Sequence, residues 1–159
     1  MNISSRGLQI IKDSEGLRSN VYNDVAGYPT IGYGHKLTVT EIASGIYSHG
    51  ITEADATTLL QSDVVDAQQA VGRLVKVPLT QGQFDALVDW VFNLGSGRLA
   101  SSALLKCLNA GRNDDAVEQL LLWTHAGGKE CSALVKRREA EAVLWRESSV
   151  PDAATAPAA

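Results

Sequence analysis

A chain of 159 residues is the size of one globular domain, and 45% apolar with 20% charged residues speaks against disorder and against a membrane-bound chain. Eighteen acidic against fourteen basic side chains give a formal charge of −4, which argues against a phosphate-binding surface and so against a nucleic-acid partner. Cys107 and Cys131 are too few for a disulfide scaffold and too far apart for a CxxC site, so free thiols in a reducing compartment are expected; no His and Cys cluster has metal-ligand spacing and no phosphate loop is present, so no metal or cofactor is expected.

The first twenty residues carry Arg6, Lys12, Asp13, Glu15 and Arg18, so no apolar signal segment is read there, and synthesis in the cytoplasm is expected. Ile3, Leu8, Ile10 and Ile11 recur at near-helical spacing, with Ser4 or Ser5 to cap the start and Gly16 to stop the helix. From Val21 to Leu37, Gly, Asn, Asp and Pro punctuate Tyr22, Ile31 and Tyr33, which predicts turns and short strands forming a small sheet. From Thr52 onward the pattern reads as helical to its end. Thr52 caps a stripe of Ala56, Leu59, Leu60, Val64, Ala67 and Val71 that predicts one helix of about five turns. Thr80 with Gln83 has the form of a capping box, and Phe84, Leu87, Val88 and Val91 run to Gly95. Further helices are expected over Ala103 to Asn109, Asp114 to Thr124 and Ala133 to Glu147, with Trp90, Trp123 and Trp145 on their apolar faces. Residues 150–159 are rich in Ala and Pro and are expected to form a disordered tail after one domain spanning residues 1–149. An early strand-and-turn region followed by capped helices predicts an α+β fold with segregated lobes and a cleft between them.

Cleaving a glycosidic bond asks for one carboxylic acid to protonate the leaving oxygen and a second group on the other face to manage water or positive charge. Glu15 at the end of the first helix and Asp24 in the turn-rich segment are two such carboxylates, and Thr30 follows six residues later. By spacing alone they are equally readable as solvated charges. Gly16, Gly32 and Gly34 leave room for a ligand to approach the backbone, although glycines in a hairpin also serve structure.

The runs Ser14-Glu15-Gly16-Leu17-Arg18, Val21-Tyr22-Asn23-Asp24 and Pro29-Thr30-Ile31-Gly32-Tyr33-Gly34-His35 resemble the active-site signature of the T-even phage-type lysozymes and endolysins, glycoside hydrolase family 24. The similarity continues through Phe92-Asn93-Leu94-Gly95 and Arg137-Arg138-Glu139-Ala140-Glu141, and so covers about residues 2 to 147. It implies a lysozyme-like fold, with a small N-terminal sheet lobe and a larger helical lobe joined by a long helix. It also implies an endo-acting muramidase that hydrolyses the β-1,4 bond from N-acetylmuramic acid to N-acetylglucosamine in peptidoglycan. Glu15 is then the general acid, and Asp24 with Thr30 holds the attacking water, giving inversion.

By the same resemblance Lys36, Phe92 and Ser102 fall at substrate-contact positions, with Phe92 equally readable as core. Arg137 falls where a last-helix arginine approaches the catalytic glutamate, with Arg138 as its fallback. His35 is expected to pair with Asp63 as a structural ion pair that raises the histidine pKa and depresses that of the aspartate. The expected partner is bacterial peptidoglycan, reached in the periplasm by a monomer that a holin-like factor releases, or carried in a virion. A lytic transglycosylase, for which Asp24 is dispensable, and a catalytically idle wall-binding module are the alternatives. Basic residues concentrate between residues 98 and 147, which predicts a positive patch near the last helix.

Overall fold

The structure, a computed structural model, describes residues 1–148. The expected tail, 150–159, lies outside the described residues. In chain order the elements are α1 (Ser5–Glu15), β1 (Arg18–Asn23), β2 (Pro29–Gly32), β3 (His35–Lys36), α2 (Val39–Ser44), α3 (Glu53–Asp63), α4 (Val65–Leu74), α5 (Gln81–Leu94), α6 (Ser96–Ser101), α7 (Ala103–Asn109), α8 (Asn113–Leu121), β4 (His125–Ala126), β5 (Lys129–Glu130) and α9 (Ser132–Ser148). The fold is lysozyme-like, a small antiparallel sheet with a mostly helical remainder, as the sequence implied. The chain divides into two compact units, one of residues 11–66 and the other of residues 1–10 with the chain from residue 67 onward.

In the first unit the sheet runs β1-β2-β3, with Tyr22 opposite Thr30, Thr30 opposite Lys36 and Ile31 opposite His35. Ile31 and Tyr33 are buried, as are Ile11, Ala56, Leu60 and Val64, and β2 is buried on both faces from Thr30 to Gly32. Gly32 lies against α3, where a Cβ would come within 3.3 Å of that of Ala56. α2 is held by a capping box: Glu41 N–H donates to Thr38 Oγ1 and Thr38 N–H donates to Glu41 Oε2. The expected five-turn helix is interrupted. It ends at Asp63, Val64 stands between, and α4 begins at Val65. Val64 stays in right-handed helical geometry and is buried.

In the second unit α5 is buried along its whole middle, from Gly82 to Val91, and packs against α9, while α7 packs against α8. The Thr80–Gln83 capping box opens α5 and Gly95 closes it, both as expected. The first turn of α1 is fixed to α5, where Ser4 N–H donates to Asp85 Oδ1 at 2.9 Å and the Ser4 hydroxyl donates to Oδ2. Trp90 and Trp145 are buried, and Trp123 meets Trp90 edge to face at 5.2 Å between ring centres. Cys107 and Cys131 are both free.

Two expectations for this unit are corrected. The chain is not helical throughout from Thr52, because β4 and β5 form a hairpin over the two-residue turn Gly127-Gly128, and α8 stops at Leu121 instead of reaching Thr124. Two of the basic residues expected in a positive patch near α9, Arg137 and Arg138, are instead buried. Arg137 donates through Nε to both Asp89 carboxylate oxygens at 3.1 Å and through Nη2 to Oδ1 at 2.6 Å, with both side chains buried. Arg138, fully buried, reaches Asn93 Oδ1 and lies 2.9 Å from Glu141 Oε1. Arg146 is paired with Glu118. Burial, and then the neighbouring Asp89 carboxylate, push Glu141 well above the usual carboxylate range.

Candidate active site

Glu15 is the last residue of α1, where Gly16 N–H donates to Lys12 O at 2.9 Å and ends the helix, leaving the Glu15 side chain exposed. The residue across from it is Gly34, in the turn between β2 and β3. Gly34 has φ +84, and a Cβ built there would lie 3.6 Å from Glu15 Oε2. At Gly34 the β2–β3 turn therefore meets the acid with backbone and no side chain.

Asp24 sits at the start of the β1–β2 turn and organises that turn. Its Oδ1 accepts the N–H groups of Ala26 and Tyr28, both at 2.9 Å, which is the self-capping that makes Asp a turn former. Its own N–H donates to Tyr28 O at 2.9 Å. The Tyr28 amide foremost, with Ala26 and the Lys36 ammonium, holds the Asp24 carboxyl below its ordinary range against a smaller opposing effect of burial. Thr30, on β2 and only 2% exposed, donates its hydroxyl to the same Tyr28 oxygen at 2.8 Å. One carbonyl thus fixes both Asp24 and Thr30. The Thr30 hydroxyl proton is spent on it, so the hydroxyl offers lone pairs to anything else it meets. With Oδ1 occupied by two amides, Asp24 Oδ2 is the oxygen that faces Lys36 Nζ, at 3.7 Å.

His35 and Asp63 come together as expected, with Nδ1 2.9 Å from Asp63 Oδ2. A second carboxylate completes the site, since Glu41 of α2 places Oε2 3.1 Å from His35 Nε2. Tyr47 lies edge-on to the ring and donates to Glu41. Burial is the largest single influence on His35 and favours the neutral ring, but hydrogen bonds and charge from Asp63 and Glu41 together outweigh it and raise the pKa. The expectation that Asp63 is depressed is overturned. Its burial, aided by the Glu41 charge, outweighs the attraction of His35 and raises it, whereas the capping amide of Thr38 and the bond to His35 lower Glu41 despite burial.

Phe92, Ser102 and Arg137 belong to the other unit. Phe92 is half-buried near the end of α5. Ser102 is 4% exposed and caps α7, its hydroxyl accepting from Leu105 N–H at 3.0 Å and donating to Leu99 O at 2.8 Å. Tyr33 packs in its unit and donates to Glu53, while Tyr22 carries the Arg18 guanidinium 4.1 Å from its ring centre. Sequence reasoning missed Tyr28, whose bonds to Asp24 and Thr30 are made by its backbone and so leave no mark in the residue type. It also missed Glu41, for which the Thr38-x-x-Glu41 capping pattern was the available signal.

A sequence model of the phage lysozyme family matches residues 12–141. The endolysin of Salmonella phage P22 is 40% identical over 91% of this chain and 98% of its own length. The endolysin of Bacillus phage B103 is 45% identical over 91% of this chain, which spans about half (54%) of that longer protein. Among solved structures, the muramidase domain of SpmX from Asticaccaulis excentricus aligns with TM-score 0.79 and 36% identity, covering 91% of this chain and 97% of that one. P22 lysozyme aligns with TM-score 0.81 and 38% identity, covering 92% and 99%.

Proposed function

The chain belongs to the phage lysozyme family, and on that premise we propose that it is a peptidoglycan-degrading glycoside hydrolase in which Glu15, Asp24 and Thr30 carry the chemistry. The observation that carries the reading is the shared fixation of Asp24 and Thr30 on the Tyr28 backbone. A water bound there has two acceptors, Asp24 Oδ2 and the Thr30 hydroxyl, for its two hydrogens. Its two lone pairs then face outward, one of them as the nucleophile toward an anomeric carbon, with Asp24 ready to take a proton. Glu15, beside the side-chain-free Gly34, gives its proton to the departing glycosidic oxygen. Water attack opposite the leaving group inverts the anomeric centre. Arg137, Phe92 and Ser102 stay in the proposal as supporting and contact positions, and the capping bonds of Ser102 make it the least suited of them to touch sugar.

The substrate bond is the β-1,4 link between N-acetylmuramic acid and N-acetylglucosamine, and the enzyme acts as a monomer. Among the described residues no helix is long and apolar enough to cross a membrane. A separate holin-like factor that gives passage from the host cytoplasm to the wall belongs to the same proposal. Permeabilised cells and purified peptidoglycan test the reading. Wild type is expected to clear cells and release reducing muramic ends, while Glu15→Gln keeps its melting temperature and falls below about one hundredth of the wild-type rate, the scale of a lost general acid. Products lighter by one water would overturn hydrolysis in favour of transglycosylation, and an inactive wild type would overturn enzymatic function.

A further inference from the structure

Asp24 Oδ1 is saturated by two amides, so the behaviour of the residue depends on what surrounds Oδ2. The charged group that faces it is Lys36, on β3, with Nζ 3.7 Å from Oδ2. Lys36 stands opposite Thr30 in the β2–β3 ladder, so its backbone position is set by the strand that carries Thr30. The ammonium is also seated on an aromatic face, 5.0 Å from the centre of the exposed Tyr28 ring. A lysine side chain of this exposure ordinarily samples many rotamers. The ring narrows that choice, because the ammonium is attracted to its electron-rich face while the stem covers apolar surface. The arginine of β1, Arg18, is turned onto the Tyr22 ring instead.

We propose that Lys36, seated on the Tyr28 ring, is a positioning residue for Asp24 that holds its free oxygen Oδ2 ionised and oriented for the attacking water. Tyr28 then serves the site three times, with its N–H to Asp24 Oδ1, its carbonyl to Asp24 N–H and the Thr30 hydroxyl, and its ring under Lys36. The inference rests on the reading of Asp24 as the group that takes a proton from water. It assigns Lys36 to the enzyme's own carboxylate and not to the sugar. Because Lys36 is 64% exposed on its side chain, solvent screens the pair and its effect is a modest shift of the working pH range, not an on-off switch.

The test compares wild type with Lys36→Met, Lys36→Arg, Tyr28→Leu and Tyr28→Phe. It measures kcat/KM against pH on purified peptidoglycan and, without substrate, titrates Asp24 by carboxyl-carbon NMR. In Lys36→Met the acid limb of the profile and the Asp24 titration are both expected to move up by about half a pH unit with KM unchanged. Lys36→Arg restores both, Tyr28→Leu moves them the same way by less, and Tyr28→Phe leaves them in place because it keeps the ring. An unmoved Asp24 titration in Lys36→Met overturns the proposal, and a raised KM alongside it makes Lys36 a sugar contact. Asp24→Asn is the control on the premise. If that variant turns over like wild type the catalytic reading fails, whereas an inactive Asp24→Asn with an unmoved Lys36→Met titration defeats only the role of Lys36.

Discussion

At the scale of single residues, Gly34 contributes to the site by having no side chain. At φ +84 an L-residue with a Cβ is strained, by about 1–2 kcal/mol, yet the 3.6 Å from that position to Glu15 Oε2 is ordinary contact, so an added methyl costs conformation and not a clash. Gly34→Ala is therefore expected to fold, with a melting temperature lower by about 3–6 °C for that energy in a domain of this size. A methyl group facing the acid also takes space that the leaving oxygen needs. Activity on peptidoglycan should fall about tenfold or more, equivalent to about 1.4 kcal/mol of lost transition-state binding. Calorimetry and rate assays on one preparation separate the two effects. A normal rate with the lowered melting temperature would show that Gly34 serves only the turn. The arrangement at Asp24 follows a related logic, since a backbone amide cannot drift as a side chain can and so fixes the carboxylate at little entropic cost.

Among elements, the joint between β3, α2 and α3 is made by His35. A neutral imidazole has one N–H, so it can donate to Asp63 or to Glu41 but not to both, and its other nitrogen then turns a lone pair toward a carboxylate. The geometry is satisfied by the imidazolium. With its pKa raised, His35 contributes stability that is fully present below the ordinary histidine value of 6.5 and is lost as pH rises through the folded value. Glu41, whose pKa is lowered, contributes stability present above its ordinary 4.5 and lost as pH falls through the folded value. Asp63 runs the other way, because its raised pKa makes ionisation a cost that grows as pH climbs past the ordinary 3.8. The joint is thus strongest between about pH 4.5 and 6.5. His35→Asn should lower the melting temperature by several degrees in that window, for about 1–3 kcal/mol of charge-assisted bonding, and by much less at pH 9. Hydrogen exchange of the α2 amides should quicken in the same variant, since Glu41 both caps α2 and binds His35. A loss of stability equal at pH 5.5 and pH 9 would rule out this account.

For the whole molecule, charge decides how the enzyme meets its substrate. The chain carries −4 with the arginines of α9 already counted, and of these Arg137 and Arg138 are buried against Asp89 and Glu141 while Arg146 is paired with Glu118. Approach to an anionic cell wall is then opposed at long range, and salt shortens that range to about 10 Å at 0.1 M. Clearing of permeabilised cells should quicken as ionic strength rises from about 10 to about 100 mM, and a rate that falls instead would reveal a basic face. The acidic composition was legible in the sequence, whereas the fate of its arginines was not, because a charge run on paper does not say which side of a helix is buried. Helix caps at Thr52 and Thr80, the stop at Gly95 and the strands around Ile31 were legible because each rests on a local rule about hydrogen bonds or periodicity. The Glu15, Asp24 and Thr30 spacing was legible through family resemblance alone. The two-residue hairpin after residue 124 was hidden in a helical pattern, and the interruption at Val64 leaves no mark on an apolar stripe. Tyr28 serves Asp24 and Thr30 within one local turn, so what the tertiary structure alone decided are the long-range partners, Asp85 for Ser4 and Asp89 for Arg137. Such pairings depend on which distant residues the fold brings within about 3 Å and which charges it removes from water, and neither is encoded in local spacing.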